Sequence, residues 1–336
     1  MKHTFKTLAF ALGLILTTQS AIAKKLLIVT DQPGGAKARE IQHLFQTTTP
    51  FKLLKASEFT VEVKILDSSS KPIKCYPTVL KYTDKEIESM KYWSAKNGMP
   101  LSDDQVQKYK KGFVIERLTT CDKQALAALG AQFQADRMIF VHDSPVMGGS
   151  GGDIPIILSG SGSGIGMHEF LHAYGLADEY AYPKDEAPFY CGQHQWANVA
   201  IFQEQPPYRS SDDVRVRHAA QIPFLPYISK SAELITGEHL GSPKAGNLGI
   251  FPSKTCSNVV PALQSWKSSS NPTIMEDPYS TYIPKPYWPT ILSGLGVSRN
   301  RIDSLMLTAV APTWNPVRPV IPPPPVMIQP LPPGAH

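Results

Sequence analysis

Long apolar runs are scarce in this 336-residue chain. Beyond residue 23 none approaches the roughly 20 residues needed to cross a bilayer, which argues against a membrane-spanning protein. Blocks of like charge are missing too. The 33 Lys+Arg and 28 Asp+Glu are dispersed, with a net charge of +5, and no run of five basic residues occurs. That pattern argues against nucleic acid as the main partner. Cysteine is sparse at four residues, none in C-x-x-C spacing, so a Cys-ligated zinc site is not expected. No internal repeat is present. A hydrophobic content of 42% excludes disorder throughout.

What is present begins with an address. Lys2 and Lys6 precede the apolar run Leu8–Leu16, and Ala21-Ile22-Ala23 is an A-x-A pattern before Lys24. This reads as a secretory signal peptide over 1–23, with secretion or delivery to the periplasm expected and no membrane span after cleavage. An oxidising destination lets Cys75, Cys121, Cys191 and Cys256 form two disulfides. Of three possible pairings, Cys75–Cys121 with Cys191–Cys256 keeps each bridge on one side of the central motif. At the far end, nine prolines fall within residues 316–336, so an extended, solvated tail is expected there.

Between these ends the pattern is α/β. Lys25–Thr30 and Met138–His142 read as buried strands, and Phe59–Leu66 alternates as a strand does. Ala36–Phe45 and Asp122–Phe133 have helical spacing. Ile154–Ser159 contains Pro155 and reads as an edge strand able to pair with an extended peptide. Residues 67–120 give no clear order, and 181–295 read as loop-rich. Ser298 can cap a last helix with Ile302, Leu305, Met306 and Val310 on one face.

The chemistry concentrates in His168-Glu169-Phe170-Leu171-His172, an H-E-x-x-H pattern. On a helix, residues i and i+4 share a face, so two imidazoles can hold one Zn²⁺. Glu169 stands beside that row, placed to accept a proton as general base. Gly175 can take positive φ, end the helix and turn the chain back. A third ligand is then expected, with Asp178 first and Glu179, His194, His218 and His239 as rivals. Thr273–Pro278 is a tight-turn sequence whose Met275 is either core or the floor of the site.

With a downstream Met turn, H-E-x-x-H-x-x-G-x-x-D resembles the metzincin clan of zinc peptidases. The string Gly160–Tyr180, ending Gly-Leu-Ala-Asp-Glu-Tyr, resembles the bacterial IgA peptidase-type zinc metallopeptidase family. The match covers about residues 138–180, with weaker support at Ala197-Asn198-Val199 and the Met275 turn. Many metzincins carry His at the third-ligand position, so Asp178 is a departure from the commoner pattern. The resemblance implies one catalytic zinc on His168, His172 and Asp178, with Glu169 as catalytic base.

The expectation is therefore an exported zinc endopeptidase acting on a peptide or protein substrate. Its fold would be a metzincin-like α/β zincin: a twisted mixed sheet, an active-site helix and a loop-rich C-terminal subdomain. The catalytic domain would span 24–315, divided near 180. Tyr279 or Tyr282 could bond the oxyanion, although packing roles suit both. Two other classes stay open: an exported zinc-binding protein without peptidase activity, and a zinc amidase acting on cell-wall peptides. A dinucleotide loop at Gly160–Gly166 is disfavoured because its spacing is G-x-G-x-G-x-G.

Overall fold

The two apolar runs form the centre of a five-stranded sheet. A computed structural model describes residues 23–67, 72–96, 100–183, 187, 190–191, 196–202, 216–228, 248–258 and 264–310. Residues 1–22 of the expected leader and the tail 316–336 lie outside them, as do His194 and His239. Among the described residues, no helix is long and apolar enough to cross a membrane.

Strand β1 (Lys24–Thr30) pairs in parallel with β2 (Phe59–Ile65) on one side and β5 (Arg137–His142) on the other. Beyond β5 lie β7 (Ile156–Leu158), also parallel, and β6 (Gly149–Ser150), antiparallel at the edge. The expected edge strand is thus one place further in. Pro155 stops just short of the ladder, and its carbonyl accepts from Phe140 N. The two-residue β6 takes the outer position.

The sheet is covered on both faces, which explains unbroken apolar runs in place of alternation. Leu26, Ile28, Ile139 and Val141 join one cluster with helices α1 (Ala36–Thr47) and α5 (Ser163–His172). Leu27, Val29, Met138 and Phe140 face the other way, against Leu126 of helix α4 (Lys123–Gln132). Asp122 caps that helix, its carboxylate accepting from Gln124 N and Ala125 N.

The stretch 67–120, which gave no clear pattern in the sequence, holds strand β3 (Cys75–Leu80), helices α2 (Asp84–Lys96) and α3 (Asp103–Lys111), and strand β4 (Phe113–Cys121). Cys75 and Cys121 are direct cross-strand neighbours and form a disulfide, and Cys191–Cys256 forms the second, as favoured from sequence. The second half is more regular than its composition suggested. Strands β8 (Val199–Phe202), β9 (Leu248–Pro252) and β10 (Gln264–Ser269) make an antiparallel sheet in the order β8-β10-β9.

Helices α6 (Trp288–Gly294) and α7 (Arg299–Thr308) return to the large sheet. Trp288, Ile291, Leu292, Ile302 and Leu305 enter the same cluster as α1 and α5. One core thus draws on residues from both sides of position 180. Ser298 caps α7 as expected, but the helix stops at Thr308 and leaves Val310 exposed.

The α1–α5 contact fixes the height of α5. Phe45 sits edge-on to Phe170 at a centroid distance of 5.0 Å and to Phe51 at 4.9 Å. Phe45→Ala should cost about 3–5 kcal/mol of stability, read as a lower midpoint in denaturant unfolding. A loss below about 1 kcal/mol would show that α5 is held by something else.

Candidate metal centre

The glycines before α5 let that helix be gripped on two sides. A Cβ on Gly164 would lie 1.9 Å from Pro278 O, and one on Gly166 would lie 2.8 Å from Ile41 Cδ1. A Cβ on Gly162 would meet the Tyr279 ring at 2.7 Å. These glycines serve close packing of α5 against α1 and the 273–279 turn. The Tyr279 ring therefore packs against Gly162.

α5 ends as its sequence demands. Gly175 takes φ +75°, and its N–H donates to His172 O at 3.0 Å. The chain reverses through Leu176 and Ala177 and brings Asp178 back beneath the helix. His168 Nε2 and Asp178 Oδ1 are 3.0 Å apart, His172 Nε2 and Asp178 Oδ1 are 3.3 Å apart, and the two Nε2 atoms are 3.2 Å apart. Among the described residues, this group of His, Cys, Asp or Glu could hold a metal ion.

The hydrogen bonds decide what those three atoms present to one another. His168 Nδ1 lies 2.8 Å from Ile274 O, and His172 Nδ1 lies 2.8 Å from Leu176 O. A carbonyl only accepts, so both Nδ1 atoms carry protons. In the neutral rings both Nε2 atoms then offer lone pairs. Asp178 Oδ1 is buried and receives no conventional hydrogen bond. Three lone pairs at this spacing repel unless a positive charge lies among them. Burial opposes ionisation of both groups, yet the Asp178 carboxylate lifts His172 to about 9. The imidazoles hold Asp178 far below the usual carboxylate range despite its burial. The cluster draws a cation, whether a proton or a metal ion, and the donor set fits a metal ion.

Glu169 is half-buried, beside the imidazole row. The connection after β6 runs close to it: a Cβ on Gly151 would lie 2.9 Å from Glu169 Oε2 and 3.8 Å from His172 Cδ2. Tyr180 is part-exposed and stacks near His168, with ring centroids 6.1 Å apart. These groups frame the open side of the cluster.

The 273–278 turn supports the cluster from below. Met275 is fully buried in the core, Ile274 O receives His168, and Met275 O accepts from Glu179 N at 2.8 Å. Glu179, the nearest rival ligand, points away from the cluster. Its Oε1 accepts from Asn198 Nδ2 at 2.9 Å and Tyr287 Oη at 2.6 Å, and its Oε2 accepts from Thr273 Oγ1 at 2.7 Å. His218 is also elsewhere, 2.9 Å from Gln221 Oε1 through Nδ1. Tyr282 is buried, and burial raises its phenol.

Sequence reading missed this layer as a unit. Asn198 and Thr273 stand in segments noted for the resemblance and the tight turn, but nothing there links them to Glu179, and Lys267 and Tyr287 show no motif of their own. Lysine at 267 was the available clue, a charge inside the otherwise short and uncharged stretch Gln264–Ser269. It is buried and bonds Glu276, with Glu179 Oε2 at 3.7 Å.

Searches against protein-family models and against curated proteins found no match for this chain.

Glu276 gives the turn a pH dependence. Burial would raise its carboxyl, but Lys267 and Lys254 outweigh that and lower it. Its folded value is therefore below its unfolded one. The stability it contributes is present above about pH 4.3 and is lost as pH falls through the lowered folded value. Glu276→Gln should therefore be less stable than wild type at pH 7, with the gap narrowing as pH drops towards 3. Urea unfolding at both pH values checks this; a gap that widens on acidification would reverse the assignment.

Proposed function

We propose that this protein is a zinc-dependent endopeptidase. The observation that carries the reading is the convergence of two Nε2 lone pairs and one orphaned, buried carboxylate oxygen at 3.0–3.3 Å, with a glutamate alongside. Tetrahedral ligands at about 2.0–2.1 Å from Zn²⁺ stand about 3.3–3.4 Å from each other, close to this spacing. Calcium prefers six to eight oxygens at longer range, and magnesium near-octahedral oxygen, so an N₂O set suits zinc better.

Zinc held there would supply Lewis-acid polarisation of a substrate carbonyl and of a water molecule. The chain's own residues do the rest. His168 and His172 are kept in the ligating tautomer by Ile274 O and Leu176 O. Asp178 neutralises one positive charge. Glu169 accepts a proton from the attacking water through its carboxylate and returns it to the leaving amine. The exposed backbone at Gly151–Asp153, beyond β6, lies where an extended peptide could run past Glu169.

The ligand helix, the glycine turn, the buried Met275 and the mixed sheet support a metzincin-like zincin fold within a catalytic domain over 24–315. Two disulfides fit an oxidising destination, in keeping with export by a signal peptide.

Glu169→Gln is the test. It should keep stoichiometric zinc and lose about 10²–10⁴-fold in cleavage of a mixed peptide library, with chelation abolishing wild-type cleavage. Undiminished cleavage by Glu169→Gln would remove Glu169 from the mechanism. Zinc binding without cleavage of any peptide would favour a non-enzymatic zinc protein.

A further inference from the structure

We infer that Glu179 is a positioning residue, whose carboxylate sets the place of the Asp178 ligand and, through the 273–275 turn, the orientation of His168. The inference rests on the zinc reading of the cluster.

Asp178 and Glu179 are consecutive carboxylates used in opposite directions. Asp178 turns to the imidazoles. Glu179 is 0% exposed and turns into the protein, where three donors from three separate segments meet it. Asn198 comes from the segment before β8, Thr273 from the Met275 turn, and Tyr287 from the segment before α6. Lys267 of β10 adds a positive charge at 3.7 Å.

The backbone of the same segment is fully paired. Ala177 N donates to Asn198 Oδ1 and Ala177 O accepts from Asn198 Nδ2. Asp178 N donates to Tyr182 Oη and Asp178 O accepts from Thr255 Oγ1. Glu179 N donates to Met275 O and Glu179 O accepts from Lys254 N. The Glu179 carboxylate and its partners Asn198 and Thr273 tie this ladder together. Asn198 holds Ala177 as well as Glu179. Thr273 Oγ1 donates to Glu179 and accepts from Met275 N at 3.1 Å. The carbonyl between them in sequence, Ile274 O, is the one that orients His168. Loss of the Glu179 carboxylate would leave three buried donors without their acceptor and free two metal ligands at once.

The test measures zinc affinity of the full chain by competition with a chromophoric chelator, alongside thermal unfolding of the metal-free form. Glu179→Ala should lose about 10–100-fold in affinity while remaining folded. Glu179→Gln keeps an acceptor for Asn198 and Tyr287 and should stay within about threefold of wild type. Ile87→Ala is the control: it empties part of the remote α2–α3 cluster, lowers the melting temperature, and should leave zinc affinity unchanged. Glu179→Ala binding zinc within about twofold of wild type would overturn the inference. Should Glu179→Ala fail to fold, Thr273→Val and Tyr287→Phe each remove one contact. Weakened zinc binding in both supports the inference, and unchanged binding in both overturns it. A wild type that binds no zinc would overturn the zinc reading itself, a result distinct from all of these.

Discussion

Two hydrogen bonds from imidazole to backbone carbonyl determine the character of the centre. Each commits its Nδ1 proton, so each Nε2 is left to face Asp178. Without those carbonyls either ring could flip its tautomer and donate to the carboxylate, giving an ordinary buried His–Asp pair. With them, the cluster has an excess of lone pairs that only a cation relieves. Leu176 O lies in the turn made by Gly175, and Ile274 O lies in the turn under Met275. Both turns therefore have to be held rigidly, and much of the surrounding structure serves that end.

The rigidity comes from two sources of different kind. Apolar packing sets α5 against α1 through Phe45, Phe170 and Ile41, and the glycines at 162, 164 and 166 allow contact too close for any side chain. A largely buried polar layer does the rest, where Lys267 stands between Glu179 and Glu276 beneath the His–His–Asp cluster and Lys254 pairs with Glu276. Such charges are costly to bury and seldom add net stability over an apolar core. Their placement is better understood as specifying one arrangement of the two turns. Hydrogen bonds impose direction, which dispersion does not.

How far this could be read from sequence follows from the range of the interactions. The H-E-x-x-H spacing, the Gly175 turn and Asp178 lie within eleven residues, and local geometry suffices to bring them together. The strands at 25–30 and 138–142 were legible because burial on both faces leaves their central positions, Leu26–Val29 and Met138–Val141, apolar throughout. Residues 67–120 were not, because β3 and β4 pair across two intervening helices and only the Cys75–Cys121 bridge hints at it. Ile154–Ser159 misled because Pro155 signals an edge, whereas the proline stands one residue before the ladder. Glu179 stands next to Asp178 and on proximity alone is a rival ligand; its partners at 198, 273 and 287 are too distant in sequence to be seen without the fold.

Zinc-edge X-ray absorption on the purified, zinc-loaded chain reads the atoms around the ion themselves. One ion per chain is expected, with two imidazole nitrogens and light-atom oxygen ligands at about 2.0–2.1 Å, and with nitrogen replacing one oxygen of the shell in Asp178→His. Sulfur ligation, a six-oxygen shell, or a spectrum unaltered by replacing His168, His172 or Asp178 would contradict it.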